Sequence, residues 1–220
     1  MMAVEAVGHW TLPDSAYAMW VRGELDDYLR IPDDGTRVEV VGGEFVVSPA
    51  PVFAHAVILS SIQRGIDYAQ FQDPAYPWRV VQAINLDLVE VGDGYIPDLV
   101  VVDAEVEERG LAEDVTHLRP DQIALVVEVT SSSNAHNDRR PVLGRRVKPT
   151  KWSGYARTGV PYYLLVDRDP RDPGITLFGE PHRREGSYAV LGEWKFGDAV
   201  RLPDPFGFEF HTTTWKPWTA

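Results

Sequence analysis

Residues 123 to 130 read IALVVEVT, an apolar run broken only by Glu128 and closed by a threonine. A strand with one face in water alternates apolar and polar residues, so a nearly all-apolar run predicts a strand covered on both faces. Residues 96 to 103 (IPDLVVVD) and 162 to 167 (YYLLVD) repeat the pattern. These three runs predict an α/β fold, a central mixed β-sheet flanked by helices. None approaches the roughly 20 apolar residues of a membrane span, so no membrane partner is expected.

The remaining elements follow from periodicity and turn chemistry. Tyr17, Trp20, Val21, Leu25, Tyr28 and Leu29 predict a helix over 14–29, with Asp14 or Ser15 as cap. Residues 37 to 47 predict a hairpin around Gly42-Gly43. After Ser48-Pro49-Ala50-Pro51 comes a helix whose His55, Leu59, Ile62, Ile66 and Ala69 share one stripe. Residues 78 to 91 read as one long strand or two short ones, and 104 to 120 as acidic and irregular. A short helix is expected from about Lys151 to Arg157, ended by Gly159 and Pro161. Residues 170 to 214 suggest additional β-strands, a meander at the sheet edge, with a loose tail from 215 to 220. With no repeat and no linker, the expectation is one domain over 1–220 with its core at about 37–167.

Charge and composition narrow the chemistry. The 220 residues carry a net charge of −12 and no cysteine. Disulfides and thiolate zinc sites are therefore excluded. With no signal peptide at the N-terminus, a cytoplasmic location is expected. The acidic total argues against nucleic acid, but its distribution does not. Arg139, Arg140, Arg145, Arg146, Lys148, Lys151 and Arg157 form a strip that no acid interrupts. Such a strip suits a phosphate-bearing ligand or a solvated loop. The six histidines show no zinc spacing. The absence of a GxxxxGK loop argues against a nucleotide cofactor, and the absence of a nucleophile elbow against serine hydrolysis.

Two acids stand in unusual places. Asp98 follows Pro97 at the start of an apolar strand, and Glu128 lies inside another. Each alone reads as a strand-end carboxylate satisfied by backbone or arginine. Together, on adjacent strands, they can aim at one hard divalent cation, Mg²⁺ or Mn²⁺, leaving room for water and phosphate oxygens. Lys151 begins a helix four residues before Tyr155, so both can face the same way; the alternative is a surface lysine. A carboxylate pair without metal would suit a glycosidase, which leaves Lys151 and the basic strip without a role. His55 shares an apolar stripe and reads first as a core-edge histidine, while Glu39 reads as a partner for a basic residue or a support beside the metal.

The ordered set Pro97-Asp98, Glu128-Val129-Thr130-Ser131, then Lys151, Tyr155, Gly159, Val160 and Pro161 resembles the Uma-type family of restriction-endonuclease-like proteins, within the PD-(D/E)XK nuclease superfamily. Val38-Glu39-Val40-Val41, Gly43-Glu44, Ser48-Pro49 and His55 extend the resemblance over roughly 37–167. It implies a restriction-endonuclease-like core and a Mg²⁺-dependent (or Mn²⁺-dependent) endonuclease that hydrolyses phosphodiester bonds in DNA. Asp98, Glu128 and Lys151 would be catalytic. Asp98, Glu128 and the carbonyl of Val129 would hold the metal. The superfamily lysine, two residues after the glutamate, is Thr130 here, and the resemblance moves it to Lys151, with Lys148 a near neighbour. Glu39, His55, Thr130 and Tyr155 would support these groups, and Arg139, Arg140, Arg145, Arg146 and Lys148 would contact phosphate. A homodimer is compatible, because nucleases that cut both strands often pair. The competing reading is a catalytically inactive nucleic-acid or protein-binding module on the same fold.

Overall fold

The computed structural model describes residues 12–142 and 147–219. The chain opens with two short helices, α1 (Ala16–Val21) and α2 (Leu25–Leu29). Ser15 caps α1 by accepting the Ala18 N–H. The continuous helix expected over 14–29 is interrupted between them, where Gly23 adopts φ +70°. The break lets Trp20 lie in the core and donate its indole N–H to the Val38 carbonyl at 2.9 Å. A hairpin follows, β1 (Arg37–Val41) and β2 (Glu44–Ser48), turned by Gly42 and Gly43. The Asp93 carboxylate accepts both glycine N–H groups at 2.9 Å. Then comes α3 (Phe53–Gln72), the longest helix described.

Residues 78 to 91 form two strands that part company. β3 (Trp78–Gln82) joins one sheet and β4 (Asn85–Leu88) another, with Ala83 at φ +53° between them. β5 (Asp93–Tyr95) and β6 (Leu99–Asp103) follow. The stretch expected to be irregular instead forms α4 (Ala104–Glu113), then the short β7 (His117–Leu118). No residue of α4 is buried, which is why the sequence showed no apolar stripe there. Its alanine, leucine and glutamates favour helix intrinsically, and Asp103 caps it by accepting the Glu105 N–H. Next are β8 (Ile123–Val129), the four-residue α5 (Ala135–Asp138), α6 (Lys151–Thr158) and β9 (Tyr162–Asp167). The chain finishes with β10 (Gly174–His182), β11 (Ser187–Lys195), β12 (Ala199–Arg201) and β13 (Glu209–His211).

The larger sheet has the order β11-β10-β9-β8-β6-β3, with β8 and β9 parallel and the other neighbours antiparallel. A second sheet runs β2-β1-β5-β4-β7, and β12 pairs with β13. The three apolar runs occupy adjacent central strands, and their side chains alternate between two cores. Leu99, Val101, Leu125, Val127, Leu164 and Val166 pack with α3 and the aromatics of the C-terminal segment. Val100, Val102, Val126, Tyr163 and Leu165 pack with α6 and the second sheet. Both faces are thus covered, as the runs require. The tail is not loose: Trp215 is buried against Phe196 and Phe210, and the Trp218 N–H donates to the Arg168 carbonyl. No described helix is long and apolar enough to cross a membrane.

Candidate active site

Asp98 directly precedes β6, and Glu128 is the penultimate residue of β8. These strands are antiparallel neighbours with Leu99 opposite Val127, so the two acids face one another at the same end of the sheet. Both line one pocket of about 170 Å³. A water molecule in the liquid takes up roughly 30 Å³, so the pocket has room for several waters or a phosphate group. Glu39 from β1, His55 from α3 and Asp138 from α5 also reach it.

Lys151 enters this pocket because of how α6 begins. Thr150 and Ser153 cap the helix reciprocally, each side chain accepting the other's backbone N–H. That pins Lys151 as the first helical residue and Tyr155 one turn on. The Lys151 Nζ lies 2.7 Å from Glu39 Oε1, 3.1 Å from Glu128 Oε1 and 3.7 Å from Asp138 Oδ1. Lys151 is only 5% exposed. The Tyr155 hydroxyl donates to Glu128 Oε1 at 2.6 Å. Glu39 Oε1 also accepts the Ile96 N–H at 2.7 Å. Asp98 is held from two sides: Oδ2 accepts the Val129 N–H at 2.9 Å, and Oδ1 lies 3.0 Å from His55 Nε2 and 3.6 Å from the Arg37 guanidinium.

Burial and mutual repulsion set the state of the acids in this cluster. Four carboxyls converge there: Glu39, Glu128 and Asp138 lie around Lys151, and Asp98 lies beside Arg37 and His55. Burial pushes the Glu128 carboxyl well above its usual range; Lys151 opposes this, and Asp98, Asp138 and Glu39 reinforce it. Burial and its acidic neighbours likewise raise Asp138 to about 7, again against Lys151. Burial would raise Asp98 too, but the His55 hydrogen bond, the charges of His55 and Lys151 and the Val129 N–H hold it low. Burial works against the Lys151 ammonium, yet the four surrounding carboxyls outweigh it and keep the lysine charged. Among the described residues, no group of three or more His, Asp or Glu side chains is arranged to hold a metal ion. The donors offered are the facing pair Asp98 and Glu128.

Other residues singled out from the sequence lie elsewhere. Thr130 turns away from the pocket: its hydroxyl donates to Asp167 Oδ1 and accepts the Arg168 N–H. Arg139 is not a free cation, because it grips Asp167 through two bonds of 2.6 and 2.7 Å and reaches Asp169 at 3.0 Å. Lys148 lies on the surface 3.0 Å from Glu44, so of the two lysines only Lys151 enters the acidic cluster. Arg140 covers the Trp152 ring. Arg145 and Arg146 lie outside the described residues. Val129 lines the pocket. Arg37, Asn137, Asp138 and Arg168 also line it, though nothing in the sequence singles them out. Asn137 and Asp138 sit in a helix too short to show periodicity, and the apolar runs give no clue to either arginine.

Residues 25–214 match the model of the Uma2 family, described as "Putative restriction endonuclease". No curated protein sequence matches the chain significantly. Among solved structures the chain is similar to one from Anabaena variabilis ATCC 29413, described as a "putative nuclease belonging to DUF820". The TM-score is 0.53 at 16% identity, over 83% of this chain and 89% of that one, a likeness of fold. With the family model spanning most of its length and the acidic cluster set where the fold brings β6, β8 and α6 together, this chain belongs to the Uma2 family.

Proposed function

We propose that the protein is a metal-dependent endonuclease that hydrolyses phosphodiester bonds in DNA, with Asp98, Glu128 and Lys151 as its catalytic residues. The observation that carries this reading is the buried Lys151 ammonium among Glu39, Glu128 and Asp138, beside Asp98 in one pocket. A lysine beside facing carboxylates can stabilise charge developing on a phosphate oxygen. The donor chemistry fits Mg²⁺ or Mn²⁺: two carboxylates are enough for an ion that keeps most of its waters. Asp98 and Glu128 would hold the ion, with the Val129 carbonyl as a further oxygen donor. Bound there, it would acidify a ligated water and polarise the phosphate.

The protein's own groups prepare the site. The Val129 N–H and His55 orient Asp98, while Tyr155 and Lys151 orient Glu128. Glu39 holds the ammonium in place through its 2.7 Å contact. Calorimetric titration with Mn²⁺, together with cleavage of duplex DNA in Mg²⁺, tests the reading. Wild type should bind the ion and cut, and Asp98→Asn should lose both. Failure of the wild type to bind either ion would sink the proposal. Binding without cleavage of any DNA would favour a module that has kept the fold but not the chemistry.

A further inference from the structure

Arg168 is a cation for which the site so far described has no use. It follows the last residue of β9, lines the pocket and is only 4% exposed. Its backbone is fastened twice: its N–H donates to Thr130 Oγ1 at 2.9 Å, and its carbonyl accepts the Trp218 N–H at 3.0 Å. Its side chain is steadied by one bond, from Nε to the Lys216 carbonyl at 3.2 Å. Among the described residues, its two Nη groups have no hydrogen-bond or ion-pair partner. The flanking acids are engaged elsewhere, Asp167 by Arg139 and Asp169 by Arg139 and Arg171.

An arginine cannot shed its charge by losing a proton, and a guanidinium largely removed from water, with its Nη groups open only to the pocket side, favours an anion there. The pocket's other cations are already committed to carboxylates: Lys151 to Glu39 and Glu128, Arg37 to Asp98. A guanidinium offers parallel N–H donors spaced to fit phosphate oxygens. We infer that Arg168, braced by the carbonyl of Lys216 in the C-terminal segment, is the phosphate-binding residue of this pocket. The ligand is a phosphate group of the bound strand, so the assignment rests on the phosphodiester reading above. The basic strip is then not the only basic element for the substrate, and the tail becomes part of the substrate site.

The test is titration of the full chain with inorganic phosphate in Mg²⁺ buffer, following the arginine Nε–Hε NMR resonances. The Arg168 resonance, identified by its loss in Arg168→Lys, should shift saturably in the wild type. Arg168→Met should weaken phosphate binding by roughly 10- to 100-fold, the scale of a charge-assisted hydrogen-bonded pair. Arg168→Lys, which keeps the charge without the fork, should fall between. An Arg168 resonance that phosphate does not move, or equal affinity in wild type and Arg168→Lys, would overturn the assignment even if Arg168→Met failed to fold. Cleavage of DNA by the wild type is scored separately. If phosphate binds through Arg168 but DNA is not cut, the nuclease reading falls and the anion site stands.

Discussion

A lysine in the first turn of a helix sits at the positive end of the helix dipole, where acids are favoured. At Lys151 four carboxyls reverse that preference, and the same geometry makes the residue structurally costly to remove. From the sequence alone, Lys151→Ala should spare folding; its burial argues otherwise. Deleting one partner of a buried ion pair costs about 3–5 kcal/mol when the other stays charged. We predict that Lys151→Met lowers the melting temperature at pH 8 and abolishes cleavage. The neighbouring Asp138 gives the sign of a pH effect. It faces Lys151, Glu39, Asp98 and Asp167, and its pKa in the folded protein is about 7, above its ordinary 3.8. The folded state therefore binds this proton more tightly, so stability should rise as pH falls from about 7 towards 4 and be lower above 7. Calorimetry of the metal-free protein should give a higher melting temperature at pH 5.5 than at pH 8, and Asp138→Asn should narrow the gap. An unchanged gap in that variant would mean that Asp138 does not carry the effect. Asp98 and Glu128 were legible in the sequence because a charge beside or inside an apolar strand is an anomaly. Asp138 was not, because a carboxylate in a polar loop is ordinary until the fold buries it.

Between elements, α6 must lie close against the second sheet for Lys151 and Tyr155 to reach Glu128. Gly154 permits this approach: a Cβ there would sit 2.0 Å from the Tyr95 hydroxyl. That hydroxyl donates to Asp93 Oδ2 at 2.7 Å, and Asp93 in turn holds the β1–β2 turn. Gly154→Ala should push α6 outward and destabilise the protein by about 1–3 kcal/mol, the usual scale of overpacking. Tyr95→Phe removes the obstructing oxygen, so the double variant should be less destabilised than the two single effects added. Strict additivity in denaturant melts would show that the clash is relieved elsewhere. The hairpin, α3, the central strands and α6 could be read from turn residues and periodicity. The separation of β3 from β4 could not, because both are apolar enough to pair with anything. Neither could α4, whose exposed position leaves no apolar stripe.

At the scale of the whole molecule, the net charge of −12 repels DNA at long range. The proposed DNA binding must then depend on local cations, and these do not all play the same part. Arg139 is spent on Asp167 and Asp169, so Arg139→Ala should lower thermal stability and leave the salt dependence of DNA binding nearly unchanged. Replacing Arg140, Arg145 and Arg146 together should flatten the plot of log affinity against log salt by about one unit for each phosphate no longer neutralised. The reverse pattern in fluorescence anisotropy would return Arg139 to the phosphate-binding group. The sequence alone called for a covered central sheet, because three nearly continuous apolar runs of strand length need cover on both faces. It also marked the two acids that such a sheet could not bury without partners. Their partners come from contacts distant in the chain. Lys151 approaches Glu128 across 23 residues and Glu39 across far more of the chain, and Arg168 meets the C-terminal segment 48 residues on. Local sequence encodes burial and period. Which charges end up within 3 Å of one another depends on how the layers dock.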